Sequence, residues 1–125
     1  MAQSFNTSVP IYLQLCERIK NKIIRGEIGM GERLPSVRDT AIDSSVNPNT
    51  VQRTYRELEE SGIVEKKRGQ GTFVTEDPAI LQKMREELKI SHINLFVSEM
   101  REMGYSDQEM LAGLKDYLVT KEEKE

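Results

Sequence analysis

The stretch 34–74 limits the possible folds of this chain more than any other part of the sequence. It predicts two short helices with a tight turn between them, followed by a β-hairpin with a basic tip. The first helix is predicted over about 36–43, because Ser36 and Asp39 have the spacing of a capping box. Two short helices followed by such a hairpin are typical of a winged helix-turn-helix.

The second predicted helix covers about 48–61. Asn47 is a preferred N-cap residue, and Pro48 is favourable at the first helical position because an N–H there would have no helical partner. Apolar residues recur at spacings of four and three, which predicts that one side of the helix packs inward. This apolar stripe consists of Val51, Tyr55 and Leu58.

The opposite side of this helix is polar and is predicted to contact DNA. Arg forms paired hydrogen bonds with guanine, and Asn or Gln with adenine, at base edges in the major groove. The amino-terminal turns of such a helix enter that groove. The alternative for each side chain is an ordinary solvated surface, and capping alone would account for the asparagine at 47. The predicted contacts are Asn47, Asn49, Thr50, Gln52 and Arg53.

A hairpin, or wing, is predicted from the run 63–67 to the run 71–74. Its turn contains glycines, which permit positive φ. A basic tip beside a helix-turn-helix is suited to phosphate contacts. A solvated strand edge is the alternative for its two lysines. The predicted wing contacts are Lys67, Arg68, Gly69 and Gln70, with Lys66 beside them.

Arg38 lies in the first turn of the helix predicted over 36–43. The helix dipole disfavours a cation at that end, so a nearby DNA phosphate would give the residue a reason to be there. The alternative is a surface arginine paired with Asp39 or Glu32.

Three segments, LPSVRD, VNPNTVQRTYRELEESGIVE and KRGQGTFV, resemble in order and spacing the DNA-binding domain of the GntR family of bacterial transcription regulators. Residues 10–28 resemble that family's first helix. The resemblance implies a winged helix-turn-helix that binds double-stranded DNA, with Arg38 on the DNA backbone and residues 68–70 at the wing tip. Many relatives have a basic residue in place of Pro48, so we expect this chain to differ in operator specificity.

An amphipathic helix is predicted from Pro10 to about Gly26, with an apolar residue at every fourth position. Its lone cysteine, Cys16, is expected to be a small packed residue, and a redox thiol is the alternative. The polar residues 1–8 before it are expected to be frayed. The apolar positions are Ile11, Leu15, Ile19 and Ile23.

Charge is distributed unevenly along the chain. Residues 1–75 carry 11 Lys and Arg against 9 Asp and Glu, whereas residues 76–125 carry 7 against 12. With a boundary at Glu76-Asp77-Pro78, we predict a DNA-binding domain over 1–76 and a helical dimerisation domain over 77–125. The expected fold is therefore mainly α with a small β-hairpin.

The second domain is predicted to contain two helices, over about 78–103 and from the capping box of Ser106 and Glu109 onward. Two helices cannot bury this much apolar surface within one chain, so a homodimer is predicted. It would present two recognition helices to an inverted repeat. The last five residues, KEEKE, are expected to be disordered. The predicted dimer contacts are Leu88, Phe96, Met100, Met103, Leu111, Leu114 and Leu118.

A short helical second domain is similar to the YtrA-like subfamily. We expect a repressor, and the subfamily resemblance implies genes for an ABC-type transporter as the target. The alternative is a winged-helix module that binds proteins without specific DNA binding. A small-molecule effector is left open.

Enzymatic activity is not expected, because the sequence has no Cys–His pair, metal cluster, serine-nucleophile elbow or phosphate-binding GK[ST] motif. No cofactor or metal is predicted, and the glycines of the loop 26–35 are assigned to turns. His92 is the only histidine. No apolar run approaches the ~18–20 residues of a membrane span, and a cytoplasmic location is expected.

Overall fold

The computed structural model of the chain describes Phe5 and residues 8–124, with side chains up to residue 120. These residues form two compact units, of which the first ends at Arg85 and the second begins at Glu86. The fold is mainly α with a small antiparallel hairpin, as predicted. Its elements are α1 (Ile11–Ile24), α2 (Val37–Ser44), α3 (Pro48–Glu60), β1 (Val64–Lys67), β2 (Gly71–Val74), α4 (Pro78–Glu102) and α5 (Asp107–Lys124).

The core of the first unit lies where α3 packs against α1 and α2. The apolar stripe predicted for α3 is confirmed, since Val51 and Leu58 are fully buried and Tyr55 is nearly so. The stripe predicted for α1 is buried at three of its four positions. It is wrong at Ile11, which is 42 % exposed, because Ile11 is the first residue of α1 and lies a full turn ahead of the buried Leu15.

Both predicted helix starts in the helix-turn-helix are confirmed. The hydroxyl of Ser36 accepts a hydrogen bond from the N–H of Asp39 at 3.0 Å, and Asn47 Oδ1 accepts one from the N–H of Asn49 at 2.8 Å. Each bond satisfies an N–H that has no partner within its helix. These caps determine where α2 and α3 begin.

The turn between α2 and α3 is a Schellman motif with serine where glycine is usual. Ser45 has φ 55°, in the left-handed region. Its N–H donates to the carbonyl of Ile42, and the N–H of Val46 donates to the carbonyl of Ala41 at 3.0 Å. Ala41 and Val46 are both buried. The turn therefore combines satisfied carbonyls with apolar packing.

The wing is a two-stranded hairpin in which Val64 pairs with Val74 and Lys67 with Gly71. A third segment, 31–34, pairs with β2 although the sequence analysis assigned its glycine to a turn. The N–H of Val74 donates to the carbonyl of Glu32, and the N–H of Leu34 to the carbonyl of Thr72. The short segment was missed because three or four residues carry too little alternation to predict a strand.

Helix α4 begins in the first unit, where Met84 is buried and Ile80 Cδ1 lies 3.6 Å from the position of a Cβ on Gly62. The two compact units therefore divide within α4, between Arg85 and Glu86. The domain boundary at 76/77 stays a prediction about independent folding and function.

In the second unit, Gly104 ends α4 with φ 93°, and the predicted capping box starts α5. The hydroxyl of Ser106 accepts from the N–H of Glu109, and the Glu109 carboxylate accepts from the N–H of Ser106. Helix α5 continues to Lys124, so the expectation of disorder over 121–125 is wrong for the backbone of 121–124.

At the other end of the chain, residues 1–4 and 6–7 of the segment expected to be frayed lie outside the described residues, as does Glu125. Phe5 is described, and the guanidinium of Arg18 lies 3.8 Å from the centre of its ring.

Candidate nucleic-acid interface

The outward face of α3 is polar because the opposite face is fixed in the core. Val51 and Leu58 are inaccessible to solvent, and this sets the rotation of the helix about its axis. The side chains of Asn49, Gln52 and Arg53 are consequently exposed, and Thr50 is half-buried. Asn47 is also exposed, but its side-chain oxygen already accepts the capping hydrogen bond.

Tyr55 on α3 forms hydrogen bonds with residues at and just before the start of α2. Its hydroxyl donates to the carbonyl oxygen of Pro35 at 2.7 Å, and because it has one proton it accepts from the hydroxyl of Thr40 at 2.7 Å. Burial raises the pKa of the Tyr55 phenol, and the charge of Asp39 raises it further, while the hydrogen bond with Thr40 has the opposite effect. The phenol therefore stays protonated at neutral pH and keeps both hydrogen bonds.

This connection bears on Arg38, which follows Pro35 by three residues in the first turn of α2. The Arg38 side chain is exposed, and within the described part of the chain it has no carboxylate at salt-bridge distance. The pairing with Asp39 or Glu32 that was the alternative is absent from this conformation. The cation at the start of α2 therefore faces solvent.

Arg53 has a structural partner that its sequence neighbours do not reveal. Its guanidinium carbon lies 3.8 Å from the centre of the Tyr12 ring, on α1. A cation at this distance over an aromatic face is attracted by the quadrupole of the ring. The side chain is nevertheless exposed, so the N–H groups at the edge of the guanidinium stay accessible.

The wing presents a compact basic tip. The N–H of Gln70 donates to the carbonyl of Lys67 at 2.9 Å and closes the turn, in which Gly69 has φ 77°. The four predicted wing contacts at 67–70 are all exposed. The Lys67 ammonium lies 4.7 Å from the centre of the Phe73 ring, which restrains this cation on the outer face of the hairpin.

Arg33 is a further exposed cation beside the wing and was not among the predicted contacts. Arg33 belongs to the segment 31–34 and pairs with Phe73 of β2, and its side chain lies against Gly71. A Cβ at Gly71 would lie 2.6 Å from Arg33 Nε, so the missing side chain makes room for the guanidinium group. Only the pairing of 31–34 with β2 brings the two together, and no local sequence signal reports that pairing.

The thiol of Cys16 is part of the packed core. Cys16 is buried, its thiol donates to the carbonyl of Thr54 at 3.7 Å, and burial raises the pKa of the thiol. Within the described part of the chain, no group of three or more His, Cys, Asp or Glu is placed to hold a metal ion. None of the helices described is long and apolar enough to cross a membrane.

The sequence of residues 11–74, which covers α1 to β2, matches the family model of bacterial regulatory proteins of the gntR family. This chain belongs to the GntR family. It is a transcription regulator with an amino-terminal DNA-binding domain, and it is not an enzyme. The resemblance drawn from the sequence is thereby confirmed.

Relatives extend the similarity beyond the DNA-binding domain. The chain is 45 % identical over 117 residues to the HTH-type transcriptional regulator YhcF of Bacillus subtilis, covering 94 % of this chain and 97 % of YhcF. It is 44 % identical over 71 residues to the HTH-type transcriptional repressor YtrA of Bacillus subtilis, covering 57 % and 55 %. The second match thus spans about half the length of each protein.

Solved structures are similar either to most of the chain or mainly to its DNA-binding domain. A GntR family transcriptional regulator from Listeria monocytogenes is similar with a TM-score of 0.83 and 36 % identity, covering 90 % of this chain and 98 % of that one. The DNA-binding domain of AraR, solved in complex with operator ORX1, is similar with a TM-score of 0.53 and 25 % identity. That match covers 60 % of this chain and 93 % of the AraR chain.

Proposed function

We propose that this GntR-family chain is a homodimeric repressor that binds an inverted-repeat operator through α3 and the wing. The observation that carries the proposal is the polar, exposed face of α3, held outward by its buried stripe and followed directly by a basic hairpin. Such a helix fits the major groove, and cations beside it fit phosphates. The AraR domain that this fold resembles was solved with its operator.

In this proposal each group of residues has its own role. The side chains at 49, 50, 52 and 53 face base edges or nearby phosphates, and Asn47 contributes mainly by capping α3. Arg38 and the wing residues 67–70 contact the DNA backbone. Phosphate contacts fix orientation without reading sequence, whereas base contacts provide specificity.

The proposal of a dimer rests on the apolar surface of the second unit. Leu88 and Met100 are half-buried, whereas the other five predicted contacts are exposed, including Leu111 at 72 % and Met103 at 65 %. Large exposed apolar patches on soluble proteins often mark protein–protein interfaces. A groove of about 470 Å³ runs between α4 and α5, and its apolar lining includes Ile93, Phe96, Val97, Met110, Leu111 and Leu114.

Repression and the target genes rest on kinship. YtrA, which resembles this chain over the DNA-binding domain, is described as a repressor. The resemblance to its subfamily supports repression of an operon with ABC-type transporter genes, by a regulator that acts in the cytoplasm. No effector is assigned.

The test of DNA binding begins with duplexes selected from random DNA by the full chain. Fluorescence anisotropy then measures the affinity of wild type, Arg53→Ala and Arg38→Ala for the selected duplex and for an unrelated one. We expect Arg53→Ala to weaken specific binding by about 1–3 kcal/mol and to relax one operator position. Arg38→Ala should weaken binding to both duplexes to a similar degree, because phosphates are common to both.

Salt distinguishes this function from a protein-interaction module. Binding through several phosphates should lose orders of magnitude in affinity between about 50 and 200 mM salt. A full chain that selects no sequence and binds no duplex at low salt would refute the proposal. An unchanged affinity of Arg53→Ala would refute the assigned role of α3.

Sedimentation tests the dimer with two variants of α5. Leu111→Asp places a charge on the exposed apolar surface, and Thr120→Asp places the same charge on the opposite side of the helix. We expect Leu111→Asp to sediment as a monomer at micromolar concentration, while wild type and Thr120→Asp stay dimeric. A wild-type monomer would refute the proposed assembly.

A further inference from the structure

Tyr12 and Arg53 form a stacked pair at the edge of the proposed DNA-binding surface. The guanidinium carbon lies 3.8 Å from the ring centre, which is about the van der Waals contact distance of two stacked planar groups. Stacking uses the face of the guanidinium and leaves its N–H edge free. That edge is the part of arginine that bonds guanine or phosphate.

The Tyr12 backbone is fixed by the packing of α1 against α3. The hydroxyl of Thr54, the residue after Arg53, shares its single proton between the carbonyl oxygen of Tyr12 at 3.2 Å and that of Thr50 at 3.1 Å. One turn further along α1, the thiol of Cys16 donates to the carbonyl of Thr54. Thr54 and Cys16 are both buried, so these bonds hold the first turn of α1 beside the middle of α3.

A long side chain that is held before binding loses less conformational freedom when it meets its ligand. Arginine has much rotamer freedom, and the aromatic ring removes part of it while leaving the bonding edge accessible. The first turn of α1 thus provides a platform for a side chain of the recognition helix.

We propose that Tyr12 is a positioning residue for operator recognition, because its ring holds the Arg53 guanidinium in the orientation that contacts DNA. The inference rests on the proposed function. It assigns to α1 a part in specificity that acts through Arg53, without a DNA contact of the Tyr12 hydroxyl. Removing the ring should therefore lower affinity only while Arg53 is present.

The experiment uses the full chain and a duplex that wild type selects from random DNA. Anisotropy titrations compare wild type with Tyr12→Phe, Tyr12→Trp, Tyr12→Leu, Tyr12→Met and Arg53→Gln, and with Tyr12→Leu and Tyr12→Met in the Arg53→Gln background. Phe and Trp keep an aromatic face, whereas Leu and Met remove it. Two variants without a ring ensure that a folding defect of one does not decide the result, and circular dichroism checks each fold.

We expect Tyr12→Leu and Tyr12→Met to weaken binding by more than twofold and up to about fivefold, the range of an exposed cation–π contact. Tyr12→Phe should stay within about twofold of wild type, and Tyr12→Trp should bind at least as tightly, since Trp is the strongest cation–π partner. In the Arg53→Gln background, loss of the ring should change affinity by less than about twofold. A purely structural role of Tyr12 would not give this dependence on Arg53.

Three results would overturn the inference. Equal losses in the two backgrounds would show that Tyr12 acts independently of Arg53. A loss in Tyr12→Phe as large as in Tyr12→Leu would assign the effect to the hydroxyl. Tighter binding by Tyr12→Leu would show that the stack holds Arg53 away from DNA. In all three, wild type still binds its operator, whereas failure of the proposed function is the absence of any selected or low-salt binding by wild type.

Discussion

Tyr55→Phe removes one oxygen atom and with it two hydrogen bonds that link α3 to the start of α2. The hydroxyl makes two hydrogen bonds of 2.7 Å, to the carbonyl of Pro35 and from the hydroxyl of Thr40. Each intramolecular bond contributes about 0.5–1.5 kcal/mol net to the free energy of unfolding. Pro35 is exposed, so water can partly replace its bond. We therefore expect a loss of about 1–2 kcal/mol.

Urea unfolding followed by far-UV circular dichroism measures this loss. Protein concentration is kept fixed, because the stability of a dimer depends on it. The urea concentration at the midpoint should fall, while the dependence of the unfolding free energy on urea stays unchanged. In thermal unfolding, a loss of 1–2 kcal/mol corresponds to a decrease in Tm of roughly 4–16 °C for a unit of the size of Met1–Arg85. Tyr117→Phe is the matched control, since Tyr117 is 65 % exposed, and its effect should stay within about 0.5 kcal/mol.

Tyr55→Phe should also change how stability depends on pH. Burial raises the pKa of Tyr55 in the folded state. The protonated phenol therefore contributes fully to the free energy of unfolding below the ordinary phenol value of 10.0, and this contribution is lost as pH rises above it. Tyr55→Phe should therefore lose less stability than wild type between neutral pH and the alkaline range above pH 10. If Tyr55→Phe were as stable as Tyr117→Phe at neutral pH, the two hydrogen bonds would not stabilise the junction of α2 and α3.

Three further predictions concern single sites. Ser106→Ala removes the capping box with Glu109 and should destabilise α5 by about 0.5–2 kcal/mol, measured as lost helicity on urea titration. Gly71→Ala should destabilise the chain by about 1 kcal/mol or more, because φ is +123° and the Cβ would meet Arg33, whereas Gly29→Ala meets open space. Burial raises the pKa of Cys16, so iodoacetamide at pH 8 should alkylate the native chain at least roughly tenfold more slowly than the urea-unfolded chain.

Local chemistry accounts for what the sequence predicted correctly about the fold. The caps at Ser36, Asn47 and Ser106 depend on residues within three positions of each other, and the structure contains all three bonds. The buried side of α3 also follows from helical spacing alone. The pairing of 31–34 with β2 joins segments about 40 residues apart, so no local pattern could reveal it.

In the candidate site, too, local features were predicted and long-range contacts were not. Helical spacing was enough to predict that Gln52 and Arg53 face outward. The ring beneath Arg53 comes from α1, 41 positions earlier in the chain, and Arg33 reaches the wing through a sheet contact. Both depend on tertiary packing. Ile11 fitted the periodic pattern and is exposed, because spacing does not report where the covering helix ends.

The left-handed Ser45 has a consequence for how this protein can change over generations. A residue with a Cβ is less stable there than glycine, by roughly 1 kcal/mol. The turn between α2 and α3 is thus not at its most stable attainable sequence. A single replacement by glycine would leave α3 and the wing untouched and provide a reserve against destabilising mutations elsewhere. Lineages with that reserve would be freer to alter the residues that we propose contact an operator.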